Sequence, residues 1–294
     1  MSSSSSQQND SAATEGSSGG VGTARLLGAL GAALLPFAYL VQRFNFVADD
    51  AYITFRYSRN FHEGKGLVYN PGVDPPVEGY SEFLWAVLLR LGFDVGIAPE
   101  TLSRVLSIGA GALMVALVVL MAARWFGERP VALFGTAVFL GAAPPLGVWA
   151  TGGMATMPAA TLAVLVFWLV FGRRSGRASG PLVVGLAASA LALMRADAAL
   201  LVALILGPAI VLGAVRRRGD LLRAALGGAL ISAVSFGAHV AWRHSVYGDW
   251  LPNTARAKLG FSSAATGRGL DYVVSSFLSM PGLGFSFLAA LAGA

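Results

Sequence analysis

Cysteine is absent from this 294-residue chain, and charge is scarce, at 12% against roughly 25% in an ordinary soluble domain. Without thiols there are no disulfides and no thiolate metal sites, and the redox compartment has no signature. The shortage of charge says more. Cutting the chain at every Asp, Glu, Lys and Arg leaves neutral runs at 26–42, 105–123, 130–172, 178–194, 198–215, 224–242 and 272–294. Most match the roughly 17 to 25 residues that span hydrocarbon as a helix. Strict alternation of polar and apolar residues is also missing, which excludes a membrane barrel and leaves helices to satisfy the backbone internally. There is no G-x-x-x-x-G-K-[ST] loop, no H-E-x-x-H and no Rossmann glycine pattern, so nucleotide chemistry of the usual soluble kind has no support.

What is present is apolar: 55% of residues are hydrophobic. The 130–172 run is long enough for two spans, with a turn at Trp149 to Gly153, which gives about eight transmembrane helices. The expected fold class is therefore an all-α membrane protein. Residues 1–22 are Ser/Gly-rich and too poor in apolar side chains to repay the entropy of ordering, so they read as a disordered tail before a polytopic domain over 23–294. The first apolar run lacks an adjacent charged n-region at the start of the chain and a convincing cleavage site, and reads as a retained anchor.

The net charge of +6 raises the question of nucleic acid, but its placement argues for topology. Arg25, then Arg124 and Arg129, then Arg173, Arg174 and Arg177, then Arg216, Arg217, Arg218 and Arg223 fall on alternate connections. By the positive-inside rule these connections are cytoplasmic. That assignment makes 43–104 one long first outer loop whose short apolar stretch, Phe83 to Phe93, lies against the membrane as an interfacial or re-entrant helix. The Asp49-Asp50 pair, Glu78 with Tyr80, the Trp149 to Gly153 turn, the Arg195-Ala196-Asp197 turn and the 242–258 segment then share the outer face, where a site can form.

Each motif has a plain reading beside the functional one. Asp49 and Asp50 open a helical segment and suit N-terminal capping, yet two adjacent, partly desolvated carboxylates repel, which raises one pKa and favours general-base work. Tyr52 and Arg56 follow on the same segment as candidate substrate contacts. The 63–81 stretch is turn-rich, as Asn70-Pro71-Gly72 favours; within it Glu78 is placed to hydrogen-bond hydroxyls and Tyr80 to stack on a sugar ring. Arg195 and Asp197 interrupt a charge-free stretch. Either they pair at a hairpin tip or the arginine grips a phosphate at headgroup depth, where a planar guanidinium outdoes an ammonium. In 242–258 the aromatic belt covers Trp242, Tyr247 and Trp250. His244, Asn253, Arg256 and Lys258 offer donors for an anion, whereas His239 reads as a packing residue.

The strings DDAYITFRY (49–57), GLVYNPG (66–72) and EGYSEFLW (78–85) resemble the first outer loop of the GT-C polytopic glycosyltransferases, nearest to the AftB-like arabinofuranosyltransferases of bacterial envelopes. YGDWLPNT (247–254) with Ala257-Lys258 resembles a second family signature, and Arg195-Ala196-Asp197 the family's Arg-Pro-Asp/Glu-Gly turn. The resemblance runs from about residue 26 to 260. It implies transfer of a sugar, arabinofuranose or another envelope sugar such as mannose, from a polyprenyl-phosphate donor to a polysaccharide or glycolipid acceptor on the outer face of the cell membrane. Asp49 or Asp50 would be the general base. No cofactor and no metal ligand set is implied, although a divalent cation is compatible, and nucleic acid is not a partner.

Three departures stand out. Gly153-Met154-Ala155-Thr156 has alanine where the family's Gly-Leu-Glu-Thr has a carboxylate, Ala196 and Ala198 replace the proline and glycine of the arginine turn, and the chain stops at Ala294 inside an apolar run where relatives continue. A fragment, a short variant and an inactive scaffold all fit these departures. A transporter or flippase is the other class, but it predicts internal repeats and charges near mid-span, and neither is visible.

Overall fold

The computed structural model describes residues 22–127, 129–172, 177–253 and 263–279. The Ser/Gly-rich tail up to residue 21, Arg173, Arg174, Arg256 and Lys258 lie outside the described residues.

Among the described residues there is no strand, and eleven α-helices follow one another. They are α1 (Thr23–Arg43), α2 (Asp49–His62), α3 (Phe83–Asp94), α4 (Pro99–Phe126), α5 (Pro130–Gly141), α6 (Pro144–Thr151), α7 (Thr156–Phe167), α8 (Pro181–Met194), α9 (Ala198–Val215), α10 (Gly219–Tyr247) and α11 (Ser263–Ser279). Four of these helices begin at proline, whose missing N–H and fixed φ suit the first helical position. Helix α10 ends at Gly248, whose φ of 69° no branched residue would adopt cheaply.

Helices α1, α4, α9 and α10 are long and apolar enough to cross a membrane. Helices α5 and α6, bent by 43° at Ala142-Ala143, make a fifth if the pair is one broken span. Among the described residues the count is thus four or five, against the eight expected from neutral runs. The last expected run, 272–294, lies outside the described residues from 280 onward, and the rest of the difference has local causes. The 178–194 run becomes a helix of only 14 residues, because Pro181 starts it and extended Arg195 ends it. Helix α7, continued by the π turn Trp168–Gly172, is likewise among the shorter apolar helices. As expected, 130–172 divides near Trp149 to Gly153: α6 stops at Thr151 and α7 starts at Thr156. Helix α3 has 12 residues, too few to cross hydrocarbon at 1.5 Å of rise each.

Two apolar cores share the work. One gathers Ala29, Ala33 and Phe37 of α1 with Val115 and Val119 of α4 and Leu133 and Ala137 of α5. The other joins Val184, Ala188 and Leu191 of α8 to Val202 and Leu206 of α9 and Leu221 and Ala225 of α10, and reaches out to Ala51, Phe55, Trp85 and Leu89 of α2 and α3. The two short helices are therefore mounted on the same apolar mass as the spans. A third, smaller cluster of Tyr57, Leu67, Tyr80, Ala86 and Tyr247 fastens the 63–82 segment to the end of α10.

Candidate functional site

Four chain segments meet at one end of the helices, and backbone hydrogen bonds fix the meeting. The Ala48 N–H donates to the Gly152 carbonyl at 3.0 Å, and the Ala196 N–H donates to the Ser81 carbonyl at 2.9 Å. The Trp85 indole N–H donates to the Gly153 carbonyl at 3.0 Å, and the Asn253 N–H to the Glu78 carbonyl at 3.3 Å. Gly153 has φ +82°, and a Cβ there would lie 3.0 Å from that of Ala51, so this turn needs glycine on both counts. The convergence expected from alternating connections is thus present: the start of α2, the 78–85 segment, the α6–α7 turn and the α8–α9 turn adjoin one another.

At the junction sits Arg195. Its Nε and Nη2 donate to the two Asp197 carboxylate oxygens at 2.9 Å each, a bidentate pair. Its Nη1 makes two longer contacts of 3.4 Å, to Glu82 Oε1 and to Thr156 Oγ1. The two charges thus pair, as the plainer reading of this turn expects, and the arginine also faces inward to a second carboxylate.

Glu82 is the residue that the sequence reading missed. Its side chain is 2% exposed; Oε1 accepts the Ala155 N–H at 3.3 Å, and Oε2 has no partner. Burial pushes its carboxyl up from the ordinary 4.5 to about 7; Arg195 and the Ala155 N–H oppose the rise, and Asp197 and Asp50 add to it. Desolvation outweighs the cation because the Arg195 contact is long and already shared with Asp197. The available signal was position: Glu82 is the last charge before the apolar stretch that becomes α3.

The other expected site residues divide clearly. Asp49 and Asp50 open α2 and are exposed, so the protein does not desolvate them as expected; Asp49 Oδ1 accepts the Asp50 N–H at 3.0 Å, which is ordinary end-of-helix chemistry. Tyr52 is 51% exposed and reachable. Arg56 is exposed but engaged: Nε donates to the Tyr69 carbonyl at 2.9 Å, Nη2 to Asn70 Oδ1 at 3.0 Å, and the guanidinium lies 4.2 Å from the Tyr69 ring centroid.

Glu78 is closed off from solvent. It is buried against Arg243, which donates Nε to both its oxygens at 2.7 and 2.9 Å and Nη2 to Oε2 in a very short contact. Tyr80 is also interior, 2% exposed, edge-on to the Tyr57 ring at 4.8 Å and accepting from the Tyr247 hydroxyl at 3.3 Å. Burial pushes its phenol far above the usual range. Both residues therefore serve as internal fasteners, not as substrate contacts. His244 stacks on Trp250 at 4.0 Å with the rings 10° apart, and Asn253 is exposed beside Glu78. Among the described residues no group of three His, Asp or Glu side chains is placed to hold a metal ion.

Beside the junction is a pocket of about 340 Å³ lined by Ile53, Tyr57, Tyr69, Asn70, Val73, Val77 and Gly79. The Tyr57 hydroxyl closes one wall, donating to the Val77 carbonyl at 2.7 Å and accepting the Gly79 N–H at 2.7 Å.

The chain matches no family model, no curated protein and no solved structure.

Proposed function

We propose that this chain is a membrane glycosyltransferase of the GT-C type, which moves a sugar, arabinofuranose or another envelope sugar, from a polyprenyl-phosphate donor to a glycan acceptor. In this reading the junction faces outward from the cell membrane, α7 and α8 complete the crossings, and 43–104 is the outer loop. The observation that carries the proposal is the meeting of Asp50, Glu82, Thr156 and Arg195-Asp197 at one end of apolar helices.

The chemistry follows from what each group can do. The acceptor hydroxyl gives its proton to Asp50 or Asp49, the carboxylates open to solvent, and its oxygen attacks the anomeric carbon with inversion. The bond from that carbon to the phosphate oxygen breaks, and the phosphate leaves with the electron pair. Arg195 meets the charge that develops there through the Nη1 edge that Asp197 leaves loosely held. Glu82 stands behind the arginine and fixes its position. It also supplies a carboxylate beside Ala155, where the resembling motif has one of its own, which favours an active enzyme over a scaffold.

General-base help is typically worth roughly 10²- to 10⁴-fold. Asp49→Asn and Asp50→Asn, made singly and assayed in membranes with radiolabelled polyprenyl-phosphate sugar, are expected to divide so that one loses transfer on this order. Near-normal turnover in both variants removes these carboxylates from the mechanism.

A further inference from the structure

The 340 Å³ pocket beside the junction has no role in the proton transfer or in meeting the phosphate. Its chemistry narrows what it can hold. No charged side chain is among its lining residues, so it offers no countercharge to a phosphate or a carboxylate. Its volume lies at the lower end of ligand pockets, which run from about 300 to about 1,000 Å³, and this suits one or two small rings better than a long chain. Tyr57, fully buried, closes the inner side, while Val73 and Val77, 49% and 52% exposed, form an open rim.

The polar groups are few and fixed. Arg56 holds Asn70 by Oδ1, which settles the amide orientation and leaves Nδ2 as a donor. The same arginine lies over the Tyr69 ring and binds its carbonyl, so this wall is stiff before any ligand arrives. The half-buried Tyr69 ring, three aliphatic side chains and one oriented amide suit a neutral molecule with an apolar C–H face and a hydroxylated edge. Gly79 of the pocket and Glu82 of the junction are three residues apart, so their Cα atoms lie within about 11 Å of each other.

We infer that this pocket binds a neutral sugar ring of the acceptor glycan and so aims a neighbouring hydroxyl at the junction. This rests on the transferase reading above, and the experiment separates the two. Saturation-transfer NMR is run on the full chain in detergent with methyl glycosides of arabinofuranose, mannose and galactose as probes, and transfer from lipid-linked sugar is measured in parallel. The expected result is saturation of ring protons in at least one glycoside, lost in both Val73→Trp and Val77→Trp, each of which fills the cavity from its exposed rim.

Saturation that both tryptophan variants leave unchanged overturns the assignment. So does a protein that transfers sugar while saturating none of the three probes, and in that case the transferase reading stands. Binding that the variants abolish, in a protein that transfers from no lipid-linked donor, overturns the transferase reading and keeps a neutral-sugar site. Absence of both binding and transfer overturns both.

Discussion

Glu78 and Glu82 are one helical turn apart in sequence and have opposite fates. Glu78 is neutralised by Arg243, and Glu82 is left with one unpartnered oxygen beside Arg195. Their cations lie 165 and 113 positions further along the chain, so nothing local could say which carboxylate would be locked and which left reactive. Asp49, Asp50, Arg195 and Asp197 were legible because each interrupts an apolar context. The consequence for Glu82 is measurable. Its pKa is raised from 4.5 to about 7, so between those values the folded chain keeps a proton that the unfolded chain has released. Stability is therefore greatest below this window and falls as pH rises through it, by on the order of 3 kcal/mol in all. Glu82→Gln should remove this component, with a detergent melting temperature that falls less than the wild type's between about pH 5 and about pH 8. Parallel slopes for the two proteins would show that Glu82 is not held neutral by burial.

Helix starts were easier to read than helix lengths. Proline at the first position marks α4, α5, α6 and α8, and the apolar run between two charges locates most of the spans. The break between α5 and α6 was not legible, because Pro144 stands in a run with no charge to mark an end, and α8 is shorter than its neutral run. Contact between helices depends on small residues, which sequence shows only as composition. A Cβ on Gly141 would lie 2.0 Å from the Ala33 carbonyl oxygen, so α5 meets α1 backbone to backbone there. Gly135 of the same helix has nothing within 4 Å. Gly141→Leu should therefore force α1 and α5 apart and lower stability by about 1–3 kcal/mol or more, while Gly135→Leu serves as the matched control. Equal melting temperatures for the two variants would contradict the close approach.

Sidedness belongs to the arrangement of the chain as a unit. Arg124 donates to the Phe171 carbonyl beyond one end of α7 and Arg195 to Thr156 at the other, so these two arginines lie at opposite ends of that helix, as charge placed on alternate connections suggests. The grouping of Asp50, the Trp149 to Gly153 turn and Arg195 was legible only as a shared face, and the parts of Glu82 and Thr156 in it not at all, because side-chain pairing depends on how the helices pack. The lack of cysteine makes a direct check clean. Single cysteines at exposed Tyr52 or Asn253 should react with a membrane-impermeant maleimide on intact cells, and one at exposed Arg216 only after lysis. The reverse pattern would turn the junction toward the cytoplasm and away from an envelope acceptor.

The pairing of Glu78 with Arg243 also bears on biosynthesis. At about 5–20 residues per second, a ribosome needs roughly ten to thirty seconds to reach the arginine after finishing the glutamate. For that interval the carboxylate has no countercharge of its own, so the segment that carries it stays in water until α10 has been inserted. The 63–82 segment is therefore among the last parts of the chain to be fastened, and its anchor is complete only when α10 has been made.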